Sequence, residues 1–462
     1  DNEARLNENE GIELTAATGS DEGFGLTGPS RDNDLLGNEA SSNGDNGIEL
    51  DNFANNNTVS DNTAFDNANG IELDQGANDN DIVGNNASQN NDNGILLTSS
   101  GGDRSNNNNL TDNTANDNDA NGIWLQVSNG NTLTDNTAND NGNNGIYLGG
   151  GTPDEADGNT LVGNTANGNG EFAMPASVEG QVRTQQIYGS GNSGIYLRNA
   201  NDNILESNTA NENLNVGIWI RNSFANDVSE SLAENNYEGI VVEEESIIRE
   251  IGLESVETTG NTFTDDTSRN NYWDFVVSTG SGGNNGIILG NSVSGFPVTN
   301  LNIGDSTNPD TTLSFNADNM KLRSVDTPES DPSDLTNIGR YFEAEVLSGG
   351  NNNIDSNGGI EITQNHNSFL NVSLSYENSD ASGVDEPTLR LLRYNETESE
   401  WQDVPGSTVD TGNNLASANI TQFSDFGVFG EPGQTCINRR DLGRGQEDQE
   451  CPFDRDVQRG GS

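Results

Sequence analysis

The 462-residue chain contains 75 acidic and 18 basic residues, which gives a formal net charge of −57 at pH 7. A surface of this sign repels phosphate, so nucleic acid is not expected as a partner. No run of about 18 apolar residues is present, and the sequence therefore predicts no membrane span.

An Asn-rich unit recurs ten times along the first 275 or so residues. Its register follows an Asn-x-Ala core and degenerate relatives, at Asn2, Asn38, Asn62, Asn85, Asn113, Asn136, Asn164, Asn208, Ser231 and Asp266. Successive spacings are 36, 24, 23, 28, 23, 28, 44, 23 and 35 residues. The shortest unit has no room for two helices but suits three short strands, so the longer units predict loop insertions on a β-solenoid.

Most units end in Gly-Ile-x-Leu or a close variant. Because side chains alternate along a strand, the two apolar residues point inward and x points outward. Stacking then predicts an internal ladder of Ile12/Leu14, Ile48/Leu50, Ile71/Leu73, Ile95/Leu97, Ile123/Leu125, Ile146/Leu148, Ile195/Leu197 and Ile218/Ile220. Asn, Asp and Gly between the strands predict tight turns, where they tolerate left-handed backbone and hydrogen-bond their own chain.

This repeat resembles the right-handed parallel β-helices of the pectate-lyase-like superfamily, in the style of NosD-type proteins and related archaeal surface proteins. The resemblance covers about residues 1–330 and implies an all-β fold with about ten to eleven coils. We expect the β-helix and its C-terminal cap to occupy residues 1–326. The same scaffold carries lyases, hydrolases, adhesins and structural shafts, so the resemblance leaves the activity open.

The variable residue of Gly-Ile-x-Leu changes character along the chain. Over nine coils it reads Glu13, Glu49, Glu72, Leu96, Trp124, Tyr147, Tyr196, Trp219 and Val241. Stacking at ~4.8 Å predicts a continuous exposed aromatic strip from Trp124 to Trp219, which would bind sugars or a partner, or would only reinforce the sheet. The same stacking predicts a glutamate row of Glu13, Glu49 and Glu72. Because these like charges repel, the row is either a solvated face or needs a cation or an arginine-bearing partner.

After the repeats the pattern changes. Residues 327–337, rich in Pro and Asp, predict a linker. Residues 338–430 have a period of two, with strands near 341–347, 359–363, 369–376, 388–394, 401–404, 416–421 and 427–429, which predicts a small β-sandwich. The segment 391–430 resembles a domain appended to secreted archaeal β-helix proteins, and this implies a location more than a mechanism.

The tail, residues 431–462, is irregular and rich in arginine. Its arginines, which we expect to serve assembly with a neighbouring molecule, are Arg439, Arg440, Arg444, Arg455 and Arg459. It also holds the only two cysteines, Cys436 and Cys451. A disulfide between them would stabilise the fold by ~3 kcal/mol in the chain-entropy model, and it is favoured over half of a metal site.

The composition also predicts a setting. Lys321 is the only lysine, and the acidic excess resembles the proteome of an extreme halophile, where molar salt screens the repulsion. Residues 1–14 already read as a coil, as in a mature secreted fragment or part of a longer chain. Six sequons, some of them expected by chance, are compatible with extracellular glycosylation: Asn56, Asn86, Asn109, Asn371, Asn395 and Asn419.

Enzymatic motifs of the resembled family are incomplete. Its lyases use clustered Asp for calcium with an Arg or Lys base, and its polygalacturonase-type members carry Asn-Thr-Asp, paired Asp, Gly-His-Gly and Arg-Ile-Lys. Here the sole His366 falls in the predicted sandwich and Lys321 in the cap. Asp265/Asp266 and the run 243–245 could hold calcium or act as acid and base, although pairs arise by chance among 75 carboxylates. No catalytic residue, copper site or other cofactor is predicted, and calcium stays open.

The sequence therefore predicts a secreted cell-surface structural protein. A β-helix end needs covering, and head-to-tail packing of C-terminal material on the first coil would build a filament or surface layer, with adhesion as a further use. The alternative is a polysaccharide-binding or polysaccharide-degrading protein, a lyase or hydrolase, that uses the aromatic strip and acidic residues.

Overall fold

The computed structural model describes residues 3–15, 30–99, 102–149, 156–170, 191–244, 261–279, 296–304, 311–317, 320–324, 331–346, 370–420, 422 and 424–433. Within these ranges the regular structure is β-sheet, apart from short 3-10 turns such as the one at Glu386–Thr388. The predicted all-β fold is confirmed.

Two long sheets run the length of the molecule, and each receives one short strand from every coil. The parallel part of the first sheet consists of β3 (Asp34–Leu36), β6 (Thr58–Ser60), β9 (Asp81–Val83), β11 (Asn109–Thr111), β13 (Thr132–Thr134), β15 (Thr160–Val162), β17 (Ile204–Glu206), β19 (Asp227–Ser229), β22 (Thr262–Thr264) and β25 (Phe296–Gly304). The parallel part of the second sheet consists of β2 (Ile12–Thr15), β5 (Ile48–Asp51), β8 (Ile71–Leu73), β10 (Ile95–Leu97), β12 (Ile123–Leu125), β14 (Ile146–Gly149), β16 (Ile195–Arg198), β18 (Val216–Arg221), β21 (Glu238–Glu244) and β24 (Trp273–Thr279).

A third, narrower face completes each coil. Its strands are β1 (Glu3–Arg5), β4 (Glu39–Ser41), β7 (Thr63–Phe65), β20 (Leu232–Glu234) and β23 (Thr267–Arg269). Between β7 and β20 the face continues as single parallel bridges, for example from Thr114 to Thr137. Three strand positions per coil are what the shortest repeat spacing predicts.

The Gly-Ile-x-Leu residues form the predicted internal ladder. Ile95 aligns with Ile123 and Leu97 with Leu125, and all four side chains are fully buried. The first pair, Ile12 and Leu14, is only partly buried and packs against the same core. The inward-pointing prediction is therefore confirmed from the second coil onward.

Buried asparagine ladders connect the coils at the corners. Four ladders run parallel to the long axis: Asn38 to Asn208 through Asn62, Asn85, Asn113, Asn136 and Asn164; Asn43 to Asn236 through Asn67, Asn90, Asn118, Asn141, Asn169 and Asn213; Asn33 to Asn261 through Asn57, Asn80, Asn108, Asn131, Asn159, Asn203 and Asn226; and Asn46 to Asn144 through Asn69, Asn93 and Asn121.

One rung shows the geometry. The backbone N–H and the Nδ2 of Asn113 both donate to Oδ1 of Asn136, each at 3.0 Å. Nδ2 of Asn136 in turn donates to the Leu110 carbonyl at 2.8 Å and to Oδ1 of Asn164 at 3.0 Å. Each buried amide thus satisfies backbone groups that turn away from the sheets.

These ladders correct the predicted role of asparagine. The ladder side chains bond the neighbouring coil, and not their own turn, because they point into the corner of the coil. Left-handed backbone falls on the residue before the ladder position, as at Asp112 and Asp135, whose φ angles are 55° and 53°. The predicted left-handed turns are therefore present. Aspartate often occupies the left-handed position, and the ladder asparagine follows it in the sequence.

The glycine that opens Gly-Ile-x-Leu is required by close packing. A Cβ placed on Gly94 would lie 2.6 Å from the Gly122 carbonyl oxygen and 2.7 Å from Cβ of Ala115. Both neighbours belong to the next coil, and real Cβ contacts are longer than this. Glycine at this position therefore permits the tight stacking of one coil on the next.

The C-terminal strands extend both long sheets with antiparallel pairing. They are β26 (Thr311–Ala317), β27 (Met320–Ser324), β28 (Thr336–Val346), β29 (Leu370–Ser375), β30 (Arg390–Asn395), β31 (Glu400–Asp403), β32 (Thr408–Asp410), β33 (Leu415–Ile420) and β34 (Asp425–Gly430). The first sheet continues β25-β26-β29-β33-β32, and the second continues β24-β27-β28-β34-β30-β31.

One hydrophobic core runs through both parts. Its members extend from Leu35 in β3 to Val428 in β34 without a break between the parallel and antiparallel regions. The strands match those predicted within residues 338–430, except that β32 was not predicted and residues 359–363 lie outside the described ranges. The division into β-helix, linker 327–337 and sandwich stays a prediction, although β28 pairs directly with β27 across that segment.

We predict that Asn136→Ala destabilises the protein by about 2–4 kcal/mol, because the Leu110 carbonyl and the Asn113 N–H lose their buried partner. Denaturant or thermal unfolding measures the effect. Asn143→Ala, an exposed change in the next turn of the chain, is the matched control and should be nearly neutral. Equal effects of the two substitutions would contradict the structural role of the ladder.

Candidate functional site

The candidate site is the outer face of the second sheet. Here the x residues of successive coils stand in line, as in Leu96 beside Trp124 and Trp124 beside Tyr147. A second outward column lies two residues later along each strand and includes Asp51, Arg198 and Arg221. The face therefore has an acidic N-terminal half and an aromatic C-terminal half.

The glutamate row forms with the predicted alignment. Glu13 is the register partner of Glu49, and Glu49 is the partner of Glu72. Burial, assisted by neighbouring carboxylates, raises the pKa of Glu49 to about 8 and that of Glu72 to about 7. Burial followed by Glu10 and Asp51 also raises the pKa of Glu13.

Protonation resolves the repulsion within this row. Near neutral pH a largely uncharged Glu49 reduces the repulsion within the row, and the cation or arginine partner stays a prediction. Asn69 donates from Nδ2 to Oε2 of Glu72 at 3.0 Å and holds that carboxyl group in place. Half-buried carboxyl groups of raised pKa can donate hydrogen bonds and can act as general acids.

The aromatic strip also forms in register. Ring centroids are 5.4 Å apart from Trp124 to Tyr147, 5.0 Å from Tyr147 to Tyr196 and 4.8 Å from Tyr196 to Trp219. Interplanar angles of 14°, 11° and 28° make all three contacts stacked. The rings therefore cover one another's faces and turn their edges outward.

The expectation of one continuous exposed strip is wrong for its second half. Tyr196 is 1% exposed and Trp219 8% exposed, and they pack with Val216, Val241 and Trp273 in a second apolar cluster. Trp124 and Tyr147 are only partly buried. Accessible aromatic surface is thus concentrated where the strip meets the glutamate row.

Polar groups fix the rings of the strip. Nε1 of Trp124 donates to the Gly149 carbonyl at 2.9 Å. The Tyr147 hydroxyl hydrogen-bonds with Arg198, although burial is the larger influence and raises the pKa of Tyr147. Arg221 lies 5.4 Å from the ring centroid of Trp219 and 3.5 Å from a carboxylate oxygen of Glu243. The guanidinium groups border the aromatic half of the face.

The structure separates the acidic pair Asp265/Asp266. Asp265 is exposed and accepts a hydrogen bond from Nδ2 of Asn300 at 2.8 Å, whereas Asp266 is fully buried. The left-handed backbone at Asp265, with φ of 56°, turns the two side chains apart. They cannot act together as an acid–base pair on one substrate.

Other predicted residues have diverse positions. Lys321 lies 4.1 Å from the ring centroid of Trp273 and 2.8 Å from Glu345. Among the sequons, Asn56, Asn86, Asn109 and Asn419 are exposed and Asn395 is partly buried. Several predicted residues lie outside the described part of the chain: His366, Glu245, the side chain of Asn371, Cys436, Cys451 and the tail arginines. Glycosylation, the disulfide and the assembly role therefore stay predictions.

A polar depression at one corner was not predicted. It has a volume of about 370 Å³ and is lined by Asp117, Asn118, Asp119, Asp140, Asn141, Gly142 and Gly170. Burial raises the pKa of Asp140, and Asp117 raises it further. The recurrence of Asp-Asn at residues 117–118 and 140–141 was the available signal.

Two general properties bear on the site. Within the described ranges, no three His, Cys, Asp or Glu side chains are grouped so that they could hold a metal ion. No helix in the same part of the chain is long and apolar enough to cross a membrane.

The repeats place the chain in a known family. Residues 6–104, 30–166 and 154–303 match the family model described as the right handed beta helix region. Together these overlapping matches cover more than half of the chain, and the protein belongs to this family. The predicted handedness and parallel architecture are confirmed.

Three solved structures are similar to this chain at low sequence identity. The periplasmic alginate epimerase AlgG is 16% identical, with a TM-score of 0.40 over 53% of this chain and 57% of that chain. The A-module of the Azotobacter vinelandii mannuronan C-5 epimerase AlgE6 is 13% identical, with a TM-score of 0.34 over 50% and 58%. Pectate lyase Pel9A is 11% identical, with a TM-score of 0.28 over 66% and 67%.

The chain thus spans less than two thirds of the two epimerase structures. No match is found among curated proteins.

We predict that Glu49→Gln stabilises the protein at about pH 8.5 and has little effect at about pH 4. The folded-state pKa of Glu49 is about 8 and its ordinary value 4.5, so the proton-linked stability is complete below 4.5 and is lost as pH rises to 8. Gln mimics the neutral form and should retain that stability. Thermal unfolding at both pH values measures the difference in stability. Glu206→Gln, at an exposed carboxylate, is the control. An equal gain in stability at both pH values would contradict a buried, neutral carboxyl group at Glu49.

Proposed function

We propose that the protein binds a polysaccharide on the outer face of the second sheet. The observation that carries this proposal is the junction on one face between half-buried carboxyl groups and two partly exposed aromatic rings. Its central residues are Glu49, Glu72, Leu96, Trp124 and Tyr147. This was the alternative function expected from the sequence.

The chemistry of a sugar suits this junction. Neutral carboxyl groups both donate hydrogen bonds to hydroxyl groups and accept them. The Trp124 and Tyr147 edges offer apolar surface with polar tips beside it, a combination common in binding surfaces. Because the ring faces of Trp124 and Tyr147 are covered by stacking, a sugar would lie across the ring edges and not between the rings.

A catalytic use of the same face is the second candidate. Glu72 is the strongest charged influence on the pKa of Glu49, so the two carboxyl groups are coupled. A neutral Glu49 beside an ionised partner has the protonation states of a general acid and a base or nucleophile. Cleavage would then proceed by proton donation from Glu49 to the leaving oxygen, while ionised Glu72 takes a proton from the water that bonds to the anomeric carbon.

The setting belongs to the same proposal. An extracellular protein would meet polysaccharides directly, and the exposed sequons and strongly acidic surface suit that location. A halophilic archaeal source and NosD-type repeats remain predictions from the sequence. Head-to-tail assembly through the arginine-rich tail also remains one, since residues 434–462 lie outside the described ranges.

We predict that Trp124→Ala weakens polysaccharide binding by about tenfold, equivalent to ~1.4 kcal/mol, through loss of apolar contact at the junction. Affinity electrophoresis against alginate, pectate and a neutral glucan provides the measurement. Phe224→Ala, at an exposed aromatic residue elsewhere, is the matched control. Unfolding curves of both variants identify any loss of folded protein.

Glu49→Gln separates binding from cleavage. Retained binding with loss of released reducing ends would assign Glu49 to catalysis. Binding without any product from the unaltered protein would leave a binding function alone. Failure of all three polysaccharides to bind, with Trp124→Ala indistinguishable from Phe224→Ala, would overturn the proposal.

A further inference from the structure

The ladder that begins at Asn38 ends on a different chemical group. Its seven asparagines are followed by Ser231 and then by Asp266 in the last parallel coils. Asp266 is fully buried, and it occupies the position that an asparagine amide fills in the earlier coils. An aspartate here is isosteric with asparagine but lacks the donor atoms.

One carboxyl oxygen of Asp266 has a partner and the other has none. Oδ1 accepts the backbone N–H of Ser231 at 2.9 Å, as asparagine Oδ1 atoms do along the ladder. Oδ2 is buried without a hydrogen-bond partner. A buried polar atom left in this state destabilises the fold, and it does so more strongly if it is charged.

The earlier rungs show what the second atom should contact. Nδ2 of Asn164 donates to the Leu133 carbonyl and Nδ2 of Asn208 donates to the Leu161 carbonyl, both at 2.9 Å. In each case the acceptor is the central residue of the preceding coil's strand in the first sheet. For the coil of Asp266 the register pairs Phe263 with Val228, so the corresponding acceptor is the Val228 carbonyl.

We propose that Asp266 is a proton-binding rung, whose Oδ2 takes a proton from solvent and donates it in a hydrogen bond to the Val228 carbonyl. One bound proton then completes the ladder just before the parallel coils give way to antiparallel strands. Loss of that proton leaves a buried carboxylate facing a carbonyl oxygen. Mildly acidic pH therefore stabilises the coil that contains Asp266, and alkaline pH destabilises it.

The surroundings favour the neutral form. Burial, with smaller contributions from the nearby carboxylates of Asp265 and Asp227, raises the pKa of Asp266 to about 7. The Ser231 and Thr264 backbone N–H groups act in the opposite direction and are outweighed. Since the folded-state pKa lies above the ordinary 3.8, the linked stability is complete below 3.8 and is lost as pH rises through about 7.

The decisive variant is Asp266→Asn, which supplies a permanent donor. Relative to the unaltered protein, we expect its unfolding equilibrium constant to fall by at least about tenfold at pH 8 and to change little at pH 4, at fixed ionic strength. Asp265→Asn, at the adjacent exposed carboxylate, is the control for a general change of charge. The converse variant, Asn208→Asp, should introduce the same type of pH dependence two coils earlier.

A spectroscopic measurement tests the proton directly. Infrared difference spectra between the unaltered protein and Asp266→Asn at about pH 5.5 should contain a carboxylic acid C=O band that disappears as pH rises past 7. The absence of this band, or equal stabilisation by Asp266→Asn at both pH values, would overturn the proposal. The same pH dependence in Asp265→Asn would also overturn it.

Discussion

Hydrogen bonding between asparagine amides of successive coils is the constraint on which the rest of the structure depends. Every turn away from a sheet leaves backbone groups without a strand partner, and burying them unpaired would oppose folding. Stacked amides satisfy these groups and link each coil to the next, as Asn136 does between Asn113 and Asn164. A ladder of this kind tolerates only one alignment, because a slip by one residue would remove the amide from every rung at once.

The same alignment creates the candidate site. Once Ile95 stands on Ile123, Leu96 must stand beside Trp124, and the variable residues form an ordered surface. Side chains of the same type then lie next to each other in adjacent coils, and the energetic effect depends on the type. Aromatic rings gain from stacking, whereas stacked glutamates must lose a charge, and burial shifts Glu49 far enough for this to occur near neutral pH. The chemistry of the face is therefore a consequence of the register and not of any single motif.

Much of this architecture is visible in the sequence because Gly-Ile-x-Leu reports both strand direction and coil period. The sequence does not distinguish an asparagine in a turn from one in a ladder, since both serve the same corner, and so the ladders were missed. Outward position at Tyr196 and Trp219 did not imply exposure, because burial depends on what packs over the sheet. The repeat register aligned Asp266 with Asn208 in the sequence, but only the structure shows its buried carboxyl group in the place of a ladder amide.

The change from parallel to antiparallel pairing after β24 and β25 gives the molecule a direction. The parallel coils present a repeating surface at one end, while β31 and β32 are the outermost strands that the structure describes in the two sheets at the other. Both outermost strands are short, and each contains an aspartate, Asp403 or Asp410. Short, charged edges discourage the addition of further strands. The edge strands at this end thus disfavour lengthening of the two sheets by pairing with further strands.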